Sequence, residues 1–261
     1  WHIDAICKHL ESVAEFEIEK LIINIPPRHM KSILASVMFP AWVWLKNPER
    51  RFIYASYAQP LATRDSVKTR HLIESPEYQN LFKPDWKLSL DENQKTLFSN
   101  TKSGVRLSVG VGGGITGQGG DFIFIDDPVN ALDAHSEVIR QEANRWHDTV
   151  LSTRINDPKR HAKVIIMQRL HEDDLTGHVL KKSDRYESLI LAAKYNPESE
   201  IKSKTSLNFI DPRKEKHSLL WPERFDEKSI QDIEIDLADD AESQLQQDPK
   251  PRSGGLFPRN H

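Results

Sequence analysis

Apolar positions along the chain change period several times, and each change marks an element. Ile3, Ile6, Cys7, Leu10 and Val13/Ala14 recur at helical spacing, so residues 1–19 read as an amphipathic helix. Leu21 to Ile25 is instead an unbroken apolar run rich in β-branched residues, the pattern of a buried parallel strand. It breaks at Pro26-Pro27, and Ser32 to Leu45 is apolar nearly all round, which predicts a buried helix. Asn47-Pro48 stops that helix. Arg51 to Ser56 is a second strand, and a helix follows from about Pro60 to Glu74, with proline in its first turn and Ser75-Pro76 as its stop. The order β-α-β-α argues for a parallel sheet with helices on its faces.

The pattern changes over residues 77–120. Lys95 to Ser99 and Val105 to Val111 are short alternating runs, which predict antiparallel strands or hairpins. They lead into Val111 to Gly120, where six of ten residues are glycine. One reading is a flexible linker; a position between two strands of one domain favours a functional loop. Phe122 to Ile125 is a fully apolar strand, Ser136 to Ser152 a helix with Ser136 as N-cap, and Ala162 to Met167 another buried strand. A last strand, about Tyr186 to Ala192, completes a sheet of at least five.

From Asn196 the chain turns polar. Residues 1–195 are expected to form the core and residues 196–245 an excursion that packs back on it through Leu219 to Phe225. Six acids in the eleven residues Asp232 to Glu242 predict a solvated helix face. Residues 246–261 read as a linker by composition.

Composition narrows the class. With 261 residues, 38% hydrophobic and 29% charged, the chain can build a sizeable core, and no apolar run approaches the ~20 residues that cross a bilayer. No stretch reads as a signal peptide, and a lone Cys7 excludes an internal disulfide, so a reducing cytoplasm is expected. A net charge of −3 gives no global case for nucleic-acid binding, so any such contact must come from local patches. The chain opens on Trp1 rather than Met, as part of a longer protein would.

Candidate chemistry sits at the ends of the apolar strands. Strand, tight loop, Lys31-Ser32 and helix is the layout of a phosphate-binding loop. There the N-terminal amides of a helix lack intrahelical partners and face an anion. Lys31 supplies a point charge for the β/γ-phosphates and the Ser32 hydroxyl a ligand for Mg²⁺. Ile25 and Met30 stand where the usual motif has glycine, and the alternative is a plain strand turning into a helix at a double proline. Asp126 and Asp127 end the Phe122 strand, where ligands bind in open α/β sheets; the alternative is ordinary Asp-Asp-Pro turn chemistry. Gln168 at the next strand end can orient water or sense a γ-phosphate. His171 to His178 lacks the spacing that puts two histidines on one helix face, so an acidic first helix turn is expected there rather than a metal site.

Taken together, IINIPPRHMKS, RFIYASYAQPLATRDS, VGGGITGQGGDFIFIDDP and VIIMQRLHEDDLTGHVL resemble the ATPase domain of bacteriophage terminase large subunits, with LLWPERF and QLQQDPKPRSGGLF matching the region that leads out of it. The resemblance implies an α/β P-loop NTPase of the additional-strand, RecA-like type, with a mostly parallel central sheet flanked by helices. It implies ATP and Mg²⁺ as ligands and double-stranded DNA, a terminase small subunit, a portal protein and further copies in a ring as partners, with no membrane. Residue by residue, Pro27, Arg28, His29, Met30, Lys31 and Ser32 become the nucleotide loop, with Ser32 and Asp126 holding the metal. Asp127 falls at the catalytic acid, Gln168 in the coupling motif, and Trp1-His2 where relatives contact adenine.

Three departures matter. Met30 replaces the expected glycine, so ATP binding is expected to be weakened. Thr116-Gly117 stands where relatives place an Arg-Gly pair, so a finger arginine must come from Arg28, Arg64, Arg140, Arg145 or Arg169. The chain ends where the resemblance implies a nuclease domain, so it is not expected to cut DNA. DNA contact is expected through the glycine-rich loop or Lys159, Arg160, Lys181 and Lys182. A helicase-like translocase and a prophage remnant unable to hydrolyse ATP are the competing readings.

Overall fold

The computed structural model describes residues 1–115 and 117–250. Eight strands form one sheet: β1 (Lys20–Asn24), β2 (Arg51–Ser56), β3 (Leu88–Asn93), β4 (Leu97–Asn100), β5 (Val105–Gly110), β6 (Phe122–Asp126), β7 (Ala162–Met167) and β8 (Glu187–Ile190). Their spatial order is β3-β4-β5-β2-β6-β7-β1-β8. The six strands from β5 to β8 in that order pair in parallel, and β3 and β4 add an antiparallel edge. One strand, β7, lies between the strand that feeds the Lys31 loop and the strand that carries Asp126. This is the additional-strand arrangement expected from the sequence.

Alternate residues of the central strands bury on opposite faces, which is why these strands read as continuous apolar runs. Leu21, Ile23, Phe52, Tyr54, Phe122, Phe124, Val164 and Ile166 pack on one face, under α1 (His2–Ala14), α2 (Phe39–Lys46) and α4 (Pro76–Phe82). α3 (Gln59–Glu74) lies beside β5 on the same side. Ile22, Ile53, Ile123, Ile125, Ile165 and Met167 pack on the other, under α5 (Glu137–Thr149) and α6 (Leu175–Lys182). Ser136 caps α5 as expected, and Asp174 caps α6 by accepting from the Gly177 amide.

Several expectations are corrected. The buried helix after the loop is not uniform: Ile33–Met38 is π-helical before α2 begins. Pro40 explains the change, since its missing N–H leaves the Ala35 and Ser36 carbonyls without helical donors. Tyr54 Oη donates to the first at 3.0 Å and Arg106 Nη2 to the second at 2.8 Å. β4 and β5 do form the expected antiparallel pair, and β5 in addition pairs in parallel with β2 on its other edge. The glycine-rich run, in its described residues, is not a flexible linker. Arg154 and Trp146 donate to the Ile115 and Gly113 carbonyls, and a Cβ on Gly119 would stand 2.1 Å from Asn156 Oδ1. The run's described residues lie in the crossover from β5 to β6 and pack against α5 and the segment that follows it.

The chain after β8 wraps the carboxyl edge. α7 (Glu227–Leu237) and α8 (Ala241–Gln246) form a small third core with Ala193, Ile230 and Leu245. The linker expected from residue 246 does not begin there: Gln247 is fully buried and its side chain accepts from the Arg169 amide at 2.9 Å. Its polar composition serves buried hydrogen bonds, which composition alone does not distinguish from solvent contact. The rest of that segment, residues 251–261, lies outside the described residues, as does Thr116. No helix among the described residues is long and apolar enough to cross a membrane.

Candidate functional site

Lys31, Asp126, Asp127 and Gln168 meet at the carboxyl ends of β1, β6 and β7. Parallel pairing in register brings these ends level, since Ile23 sits opposite Ile166 and Ile166 opposite Asp126. Lys31 Nζ stands 2.6 Å from both oxygens of Asp127, with Lys31 itself buried. Asp127 also accepts from the Gln168 amide at 3.2 Å. Its backbone is left-handed, with φ of 44°, and is held by hydrogen bonds to Tyr57 and Ile166. Gln168 Oε1 is buried without a partner.

Asp126 differs from its neighbour. It is buried and accepts from the Ser36 hydroxyl at 2.9 Å, and the nearby Ser32 hydroxyl favours its ionised form. Burial, reinforced by the charge on Asp127, pushes its carboxyl up to about 7. A cation at this point would favour the ionised form. The Ser32 hydroxyl and the Asp126 carboxylate are hard oxygen donors side by side, the set Mg²⁺ takes directly or through water.

The loop itself is strained. Arg28 and Met30 are both left-handed, with φ of 63° and 70°, a region that glycine enters without cost. His29 between them is buried, its ring Nδ1 2.9 Å from the Pro27 carbonyl oxygen. Phe225 stacks on it at 4.7 Å, while Trp221 lies 5.1 Å from the His2 ring. The Leu219 to Phe225 anchor therefore closes over the Pro27 to Ser32 loop rather than over a distant face. Trp1 is half-exposed and stacks on Phe209, with the Arg213 guanidinium 5.2 Å from its ring.

Other candidates separate by environment. Arg169 is buried against Asp174 at 2.9 Å, and Arg140 is buried with its guanidinium on the Ala134 carbonyl. Neither can reach a neighbouring molecule as a finger. Arg28 and Arg145 are exposed, and Arg64 is half-exposed beside Asp65. Lys181 and Lys182 are ion-paired with Asp173 and Asp148, and Arg160 lies over the Phe16 ring. No cluster of three metal-ligating side chains occurs among the described residues, and His171 to His178 is not one. A cleft of about 890 Å³ lies elsewhere, between the end of β8, residues 196–217 and residues 234–250. Its Lys194 and Arg213 pair with Glu234 and Asp211, so it presents no unmet charge from these cations.

Ser36, Arg106, Trp221 and Phe225 were not legible as site residues. An arginine inside the alternating run Val105 to Val109 was the one available signal.

No family model matches the chain, and no curated protein matches it. Among solved structures, the large terminase of bacteriophage HK97 is similar with a TM-score of 0.47 and 13% identity, covering 70% of this chain and 37% of that one. The large terminase of a thermophilic bacteriophage, solved in complex with ATP-γ-S, is similar with a TM-score of 0.42 and 12% identity, covering 70% of this chain and 44% of that one. This chain thus spans less than half the length of either.

Proposed function

We propose that this chain is a Mg-ATP hydrolysing domain of the phage large-terminase type, which drives double-stranded DNA into a procapsid. The observation that carries the reading is the meeting of Lys31, Asp126, Asp127 and Gln168 at level strand ends, with one strand between the lysine and carboxylate strands. ATP lies with its phosphates across the loop from Pro27 to Ser32, and Lys31 leaves Asp127 for the β/γ-phosphates. Ser32 and Asp126 would hold Mg²⁺, which would neutralise charge on the phosphates. Asp127, released from the lysine, accepts a proton from the attacking water. Gln168, with its free carbonyl oxygen beside Asp127, orients that water. Trp1 and His2 lie on the base side of the loop.

The motor role rests on the ordered motif resemblance. DNA is gripped through its backbone charge, without sequence preference. The small subunit, the portal and a ring of identical copies are the partners that such a role requires. Arg28 and Arg145, both exposed, are the arginines free to act on a neighbour's nucleotide.

A second reading is favoured by one feature. Met30 puts a side chain at a left-handed loop position, and Lys31 is closed on Asp127. A remnant that folds without binding nucleotide would have this loop. Thermal unfolding with and without millimolar Mg-ATPγS separates the two. At 100 Kd a ligand bound only by the native state adds about 2.7 kcal/mol. An upward shift that vanishes in Lys31→Ala supports the ATPase. No shift at saturating nucleotide refutes it and leaves the remnant.

A further inference from the structure

Beneath the phosphate loop lies a polar pocket around a buried arginine. Arg106, on β5, is fully buried, and its direct partners are the Ser36 carbonyl at 2.8 Å and the Ser108 hydroxyl. The Tyr54 ring lies 4.3 Å beneath its guanidinium. Neither hydrogen-bond partner is a carboxylate, although burying a guanidinium is costly without compensation. Its Nε has no partner at all.

Ser36 links this arginine to Asp126. Its carbonyl takes the Arg106 donor while its hydroxyl donates to Asp126 Oδ2 at 2.9 Å. The π-helical turn makes that double role possible, because Pro40 leaves the Ser36 carbonyl free. Asp126 Oδ1 is, like Arg106 Nε, a buried atom without a partner. Both residues line one small cavity, together with Ser36, Ser56 and Asp65, with room for about one water molecule. A water there can accept from an arginine N–H and donate to a carboxylate oxygen, which satisfies two otherwise orphaned groups.

We infer that Arg106 is a positioning residue for Asp126, acting through Ser36 on one side and through a single buried water on the other. The inner network fixes the direction of the carboxylate from behind, and the outer face is left to Ser32 and the phosphate loop. The consequence for metal binding rests on the nucleotide-site reading above; the geometry does not. Partners that orient a metal ligand from behind change metal affinity by about 10–100-fold when removed.

Two measurements on the whole chain test this. A crystal structure at high resolution should show one water between Asp126 and Arg106, and a dry cavity overturns the inference whatever the chain does with nucleotide. In Arg106→Lys and Arg106→Met, the Mg²⁺ concentration needed for half-maximal ATPγS binding should rise at least about tenfold, with affinity for ATPγS in EDTA unchanged. Arg106→Lys keeps a buried cation, so it guards against simple unfolding of the methionine variant. A lower thermal midpoint with no change in Mg²⁺ dependence would make Arg106 a packing residue only and sink the inference. A wild-type chain that binds no nucleotide would refute the ATPase reading instead, and the water would still decide the geometry.

Discussion

The two ends of the sheet treat their acids in opposite ways. At the carboxyl end, Asp126 keeps an unpartnered oxygen, Asp127 sits in a left-handed backbone, and Gln168 holds a carbonyl oxygen that nothing meets. Beside the amino ends of β7 and β8, Asp148 is saturated. Lys182 and His178 reach one of its oxygens at 2.8 and 2.9 Å, and His147 lies 3.1 Å from the other. Burial alone would raise the Asp148 carboxyl, yet these donors hold it well below the usual range. Unmet polar groups and backbone strain are costly, and they persist where a ligand or a reaction uses them. Saturation marks an acid that serves the fold.

The sharpest break of this contrast is to exchange the acids. If Asp127 accepts the proton as proposed, Asp127→Asn, which keeps the shape, should lower ATP turnover by about 10²–10⁴-fold. ATPγS binding and the thermal midpoint should change little. Retained turnover would show that Asp127 belongs with Asp148 as a structural acid. Asp148→Ala should do the reverse. Leaving His147, His178 and Lys182 without their acceptor should cost about 1–3 kcal/mol of stability, read as a lower urea midpoint, with nucleotide binding untouched.

Acid should reach the saturated end through His147. Burial holds His147 down to about 4, against the pull of Asp148, whereas the unfolded chain protonates it near 6.5. The folded state therefore binds fewer protons between these values. The His147 contribution to stability is complete above pH 6.5 and falls as pH drops toward 4, by up to about 1.4 kcal/mol per pH unit. His147→Gln should flatten that slope by up to one proton. An unchanged slope of unfolding free energy against pH would mean that this histidine does not set it.

The same contrast explains what was legible in the sequence. Runs such as Phe122 to Ile125 and Ala162 to Met167 announce buried strands, because strands covered on both faces have no polar alternation. Lys31, Asp126, Asp127 and Gln168 were legible for a related reason: each stands where such a run ends. Arg106 and Ser108 were not, since an alternating strand reads as half solvated, and here the polar side faces a buried network. The clasp on His29 was half legible. Leu219 to Phe225 is an evident apolar anchor, but nothing local says that it lands far back along the chain, on the Pro27 to Ser32 loop. Gln247 was misread because glutamine, proline and lysine look alike in a linker and in a hydrogen-bonded seam.

Met30 tests the smallest difference between a site under strain and one merely disfigured. A residue with a Cβ at φ of 70° bears about 1–2 kcal/mol that glycine does not. Met30→Gly relieves that strain, but it frees the unfolded chain by about 0.5–1 kcal/mol and removes a side chain that packs partly against the core. These effects nearly cancel, so the thermal midpoint of the ligand-free chain should move little. Nucleotide affinity has no such cancellation. Without the Cβ, the backbone can approach phosphate closely, and Mg-ATPγS should bind several-fold more tightly by calorimetry. If affinity stays the same while the fold stays intact, the loop already accommodates Met30. The strain would then belong to the resting state, with Lys31 closed on Asp127, and not to the bound one.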